Sequence, residues 1–146
     1  MRIREYEPGD EACLSALFDR VRREEFFWAD KAAIAPDDFA RATRGERLWV
    51  AEQDGEPIGF VSVWEPTRFI HLLFVSSACR GRGAARALIQ RAAEVCGTPL
   101  TLKCVQANER ALRFYLRGGW VVAGEGTGED GPYALLRYAP RADGER

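Results

Sequence analysis

Apolar positions recur along the chain at two different intervals, and the interval changes where glycine and proline fall. Leu14, Leu17, Phe18 and Val21 repeat at helical spacing behind the turn signal Pro8-Gly9-Asp10, which predicts a helix capped near Asp10 with one apolar face. From Ala84, the positions Ala85, Leu88, Ile89, Ala92, Val95 and Cys96 follow the same rule, and Gly97-Thr98-Pro99 ends that helix. Two more helices are predicted, from about Pro36 to Arg44 and from Asn108 to Arg117. Shorter apolar or alternating runs predict strands at Arg2 to Tyr6, Leu48 to Glu52, Ile58 to Trp64, Phe69 to Val75, Leu100 to Val105, Trp120 to Glu125 and Tyr133 to Tyr138. Gln53-Asp54-Gly55-Glu56-Pro57 reads as a hairpin connection. Phe69 to Val75 is apolar throughout except at His71, the pattern of a strand covered on both faces and therefore central in its sheet. The order of elements predicts an α/β sandwich.

Composition narrows the classes. The chain has 146 residues with 21 Lys+Arg against 22 Asp+Glu, enough for one compact domain and without the basic excess of a general nucleic-acid binder. Hydrophobic residues make up 47%, which excludes the apolar deficit of a disordered chain. No apolar run approaches the roughly 18 residues of a membrane span, and the acids near the N-terminus do not fit a signal peptide, so no membrane partner and a cytoplasmic location are expected. Residues 1 to 139 are expected to form the domain, with Pro140 to Arg146 a disordered tail. Cys13, Cys79, Cys96 and Cys104 form no CxxC pair and His71 is the only histidine, so no metal is expected and the thiols read as reduced and mostly buried.

Between the predicted central strand and its helix lies Arg80-Gly81-Arg82-Gly83-Ala84-Ala85. There, successive amides and the positive end of a helix can surround an anion, and glycines let the backbone approach phosphate oxygens. A Walker A loop is absent because no Gly-Lys-Ser/Thr occurs, and the dinucleotide fingerprint fails because Arg86 stands at its third glycine. Arg80, Arg82 and Arg86 favour a pyrophosphate ligand. This segment resembles the Arg/Gln-x-x-Gly-x-Gly/Ala motif of the GNAT superfamily of acyl-CoA-dependent N-acetyltransferases, and Leu72-Leu73-Phe74-Val75 resembles the strand leading into it. Asn108-Glu109-Arg110-Ala111-Leu112-Arg113-Phe114-Tyr115, followed by Gly118-Gly119-Trp120, resembles the family's second motif. Departures are Ala85 at the final glycine, the doubled Gly118-Gly119, and Ser76-Ser77 in place of the commoner His/Asp-Pro.

The resemblance implies a single-domain GNAT-like α/β fold with a mixed, mostly antiparallel sheet splayed beside the glycine loop and helices on both faces. It implies acetyl transfer from acetyl-CoA directly to a primary amine, without an acyl-enzyme. Leu73, Phe74 and Val75 carry over as the strand that pairs with the pantetheine arm, Val75 N–H as a donor to the thioester oxygen, and the amides from Gly81 through Arg82, Gly83, Ala84 and Ala85 to Arg86 as the pyrophosphate cradle. Asn108 carries over as a pantetheine contact and Tyr115 as the acid that protonates the departing thiolate. Seven residues separate the two, so they share a helix face. Relatives that acetylate ribosomal-protein N-termini use a Glu on the strand before the second motif, where this chain has Lys103. Two candidates for the base are left open, Glu65 after the third strand and His71, which a regular strand puts on the same face as Val75. Phe26, Phe27 and Trp28 fall where the family's first helices cover the acceptor. The acceptor is a small-molecule or peptide amine, and the resemblance is compatible with a homodimer. The competing class is a non-catalytic acyl-CoA-binding or sensory domain of the same fold.

Overall fold

The computed structural model describes residues 1–140. Its strands are β1 (Arg2–Glu5), β2 (Arg47–Gln53), β3 (Glu56–Trp64), β4 (Phe69–Val75), β5 (Leu100–Val105), β6 (Val121–Gly128) and β7 (Gly131–Tyr138), and its helices are α1 (Glu11–Glu25), α2 (Asp38–Ala42), α3 (Ala84–Cys96) and α4 (Glu109–Arg117). The strands form one sheet in the order β1-β2-β3-β4-β5-β7-β6, antiparallel except between β4 and β5.

Strand alternation divides the core in two. Val50, Phe60 and Phe74 point to one face, where Leu14, Leu17, Phe18 and Val21 of α1 and Phe39 of α2 cover them. Phe18 sits edge-on to Phe74 at 4.8 Å, the favoured arrangement of two ring quadrupoles. Trp49, Ala51, Val61 and Val63 point to the other face, against Ala84, Leu88, Ile89 and Ala92 of α3. Full burial of Leu14 and Leu88 contributes about 1.5–3 kcal/mol each.

Several boundaries differ from the sequence expectation. Asp10 does not cap α1, because its carboxylate turns to Arg4 at 2.8 and 2.9 Å and to the amide of Glu7. The second helix is only five residues long, and β6 continues to Gly128 because its pairing with β7 persists to Gly128↔Gly131. Of the cysteines only Cys104 is buried, Cys79 and Cys96 are half-buried, and Cys13 is exposed. The four carry no disulfide. The expected tail lies, beyond Pro140, outside the described residues. Among the described residues no helix is long and apolar enough to cross a membrane.

Two irregularities of β4 create the site. It pairs with β5 only at Phe69↔Thr101 and Ile70↔Leu102, after which the strands part. The strand is central, but it is not covered on both faces: Leu72, Leu73 and Val75 are half-buried and His71 is exposed. Opposite β3 the register runs Ser62↔Leu72 and then Val63↔Ile70, so His71 is the extra residue of a β-bulge. Strand parity changes there. Ile70 and Val75 pack with the α3 core, whereas Leu72 and Phe74 pack with α1.

Candidate active site

The gap between β4 and β5 is the floor of a cleft of about 190 Å³. Its walls bring together Phe26 and Trp28 from the α1–α2 connection, His71 to Phe74, Cys104 and Val105, Asn108 at the entry to α4 and Tyr115 within it, and Asp130 from the β6–β7 turn. On the β3 side, Leu72 N–H goes to Ser62 Oγ at 3.1 Å and Ser76 N–H to Ile58 O at 2.8 Å. Alternation therefore turns the amides of Leu73 and Val75 toward the gap, where β5 has already diverged. An extended ligand laid there gains backbone hydrogen bonds as an added strand does.

At the end of β4 the chain passes through a short 3-10 turn into Arg80–Gly83 and then α3. Gly81 and Gly83 hold φ of 81° and 84°, a left-handed conformation that favours glycine. A Cβ at either would meet nothing within 4 Å, so both glycines border open space. The first intrahelical bond runs from Ala87 N–H to Gly83 O, so the amides of Ala84, Ala85 and Arg86 have no helical acceptor. Arg82 and Arg86 are exposed and pair with no carboxylate among the described residues. Arg80 differs: its guanidinium is bound by Glu25 of α1, with one contact at 2.6 Å, and Glu25 also holds Arg110 of α4 at 2.9 Å. Free amides, open glycines and a parted strand edge fit an extended arm that ends in a pyrophosphate, as in acetyl-CoA.

Tyr115 is buried at the foot of the cleft, edge-on to Trp120 at 5.5 Å and to Phe114 at 5.4 Å. Burial, reinforced by Cys104, pushes the phenol far above its ordinary pKa of 10, because a phenolate would be poorly solvated there. The same desolvation pushes the Cys104 thiol up to about 11. Asn108 Oδ1 caps α4 by accepting from Ala111 N–H at 3.3 Å, and the residue also lines the cleft. Lys103 lies over the rings of Tyr133, at 5.0 Å, and Phe69.

The two candidates for the base separate. Glu65 is exposed in the turn after β3, paired with Arg47 at 3.3 Å, and the structure does not bring it to the cleft. His71 does line it, but not on the Val75 face: the bulge turns its ring to Glu46, with Nδ1 2.8 Å from Glu46 Oε2. Glu46, just before β2, is 9% exposed in its side chain, and among the described residues its Oε1 has no hydrogen-bond partner. Neither Glu46 nor Asp130 belongs to a sequence motif, and only the folded strands bring them to this region. Of the aromatic trio, Phe26 and Trp28 stack at 4.6 Å and line the cleft, whereas Phe27 is 77% exposed and does not line it.

The sequence profile of the acetyltransferase (GNAT) family matches residues 14–120. The chain is 34% identical to the peptidyl-lysine N-acetyltransferase YjaB of Escherichia coli, across 95% of both chains. It is 32% identical to the peptidyl-lysine N-acetyltransferase YiaC of the same organism, over 64% of this chain and 61% of that one. Among solved structures it resembles a GCN5-related N-acetyltransferase from Rhodopseudomonas palustris, with a TM-score of 0.80 at 22% identity over 95% of both chains. It also resembles yncA from Salmonella typhimurium, described with its cofactor acetyl-CoA, with a TM-score of 0.69 at 18% identity over 94% of this chain and 92% of that one.

Proposed function

The chain belongs to the acetyltransferase (GNAT) family and is an acetyl-CoA-dependent N-acetyltransferase, and we propose that its acceptor is the side-chain amine of lysine in a peptide or protein. The observation that carries this reading is the make-up of the cleft. Phe26 and Trp28 offer apolar walls to a methylene chain, Asp130 adds a carboxylate, and His71 offers a ring nitrogen to an ammonium head. A lysine side chain has that sequence of needs. The names of YjaB and YiaC support the same acceptor class.

Acetyl-CoA supplies the acetyl group as an activated thioester. The chain's own groups do the rest. The loop amides with Arg82 and Arg86 would hold the pyrophosphate, and the amides of Leu73 and Val75 would pair with the arm, Val75 N–H supplying a donor for the thioester oxygen. His71 takes the proton of the incoming ammonium, which frees the nitrogen pair for attack. Tyr115, kept protonated by burial, donates its O–H hydrogen bond to the departing thiolate and stabilises the developing charge there. Cys104, likewise held neutral, is a poor nucleophile, in keeping with direct transfer.

A panel of lysine-containing peptides, N-terminally blocked or free, polyamines and amino acids, read by thiol release and by peptide mass, tests the reading. Acetylation of lysine in blocked peptides is the expected result. Turnover confined to polyamines, amino acids or α-amines overturns the acceptor class, and binding of acetyl-CoA without turnover on any amine points to the sensory alternative.

A further inference from the structure

We infer that Glu46 is a positioning residue for acetyl transfer: it holds His71 with the proton on Nδ1 and so leaves Nε2 as the proton acceptor in the cleft. The inference rests on the reading that His71 takes the ammonium proton, and it adds a residue that no motif marks.

An ionised carboxylate can only accept hydrogen bonds. With Nδ1 2.8 Å from Glu46 Oε2, a neutral imidazole must carry its hydrogen on Nδ1, and the lone pair is then on Nε2. No described residue bonds Nε2, and His71 is among the residues that line the cleft. The pairing is also exclusive from the carboxylate's side. Glu46 is nine-tenths buried and its second oxygen has no partner among the described residues. Arg47, next in the chain, is committed to Glu5 at 2.7 Å and Glu65 at 3.3 Å. In the step, the ammonium N–H bond breaks, its electron pair stays on nitrogen, and the proton forms an Nε2–H bond. The imidazolium lies against Glu46 until water in the cleft removes the proton.

The bulge makes this contact available. In a regular strand residue 71 shares the Val75 face. The extra residue in β4 instead turns His71 to Glu46, which lines a surface pocket together with Phe39 of α2 and Leu48. A mere tie between the β2 entry and β4 would use the same distance, so the test must read the ring itself.

His71 is the only histidine, so protein labelled with 15N-histidine gives one Nδ1 and one Nε2 resonance. In the protein without acetyl-CoA, at a pH where the imidazole is neutral, Nδ1 is expected at a pyrrole-type shift and Nε2 at a pyridine-type shift. Glu46→Gln keeps an acceptor oxygen without charge and should retain that tautomer with an intermediate rate. Glu46→Ala should revert to the Nε2–H-rich mixture of free histidine and lower kcat by about tenfold or more, with the KM for acetyl-CoA little changed. A wild-type protein with its hydrogen on Nε2 overturns the inference whatever the variants do. So does Glu46→Ala with an altered tautomer and wild-type kcat. His71→Gln separates the two readings: wild-type turnover there removes His71 as the base, whereas lost turnover there together with an unaffected Glu46→Ala removes only the positioning role.

Discussion

Ser62 and Leu72 are joined across the β4 bulge: the fully buried Ser62 hydroxyl accepts the Leu72 amide at 3.1 Å. A bulge leaves a ladder amide without its carbonyl, and here a side-chain oxygen from β3 takes that place. Ser62→Ala strands this amide and is expected to lower unfolding free energy by about 1–3 kcal/mol, measured by urea denaturation. It should also lower kcat, since His71 is the bulged residue. Unchanged stability would mean that the bulge holds without the hydroxyl.

Gly83→Val combines an unfavourable left-handed φ of 84° with a side chain in the open space at the mouth of α3. The conformational part costs about 1–2 kcal/mol. The larger effect is expected in calorimetric CoA affinity, about tenfold or more in Kd, because the side chain stands where phosphate oxygens would approach. Arg80→Ala should weaken CoA binding less than Arg82→Ala or Arg86→Ala, since Glu25 already holds the Arg80 guanidinium. Equal losses at the three arginines would show that CoA displaces Glu25.

Tyr115→Phe removes the proposed acid and keeps the ring. A fall in kcat of about tenfold or more, with little change in CoA affinity, is expected for a contact made mainly in the transition state. The phenol also sets an alkaline signature. Its folded pKa is raised above 10 by burial, so its contribution to stability is fully present below pH 10 and is lost as pH rises beyond it, where the unfolded state binds fewer protons. Thermal midpoints measured between pH 9 and pH 11 (roughly the span on either side of an ordinary tyrosine pKa) should fall less steeply in the variant.

Cys104→Ala tests direct transfer. With the thiol pushed up to about 11, thiolate is scarce at neutral pH, and turnover should persist. Intact-protein mass spectrometry during turnover should find no acetyl group on Cys104. Loss of activity with a retained fold would reopen an acyl-enzyme route. Cys13, which is exposed, should react first with a thiol reagent and leave activity unchanged.

Much of the fold was readable because its signals are local. The apolar stripe of α1 and the α3 stripe with its Gly97 stop each lie within one element, where periodicity reports which face is buried, and the apolar run of β4 marked a central strand without showing that its faces stay partly open. The two motifs were equally local, since a glycine pair before a helix and an Asn-to-Tyr spacing within a helix depend on neighbours in the chain. The departures came from contacts between side chains of different elements. Asp10 left its cap for Arg4, Arg80 was taken by Glu25 across 55 residues, and Glu65 paired with Arg47 instead of facing the cleft. His71 is the clearest case. Its residue type and its strand were visible in the sequence, but the strand's period of two assigns it to the Val75 face. Only the register between β3 and β4 inserts the extra residue that turns the ring to Glu46, 25 positions away. A bulge is a property of the pairing of two strands, and charge pairing depends on which side chains meet in space, so neither is written in the pattern of one segment.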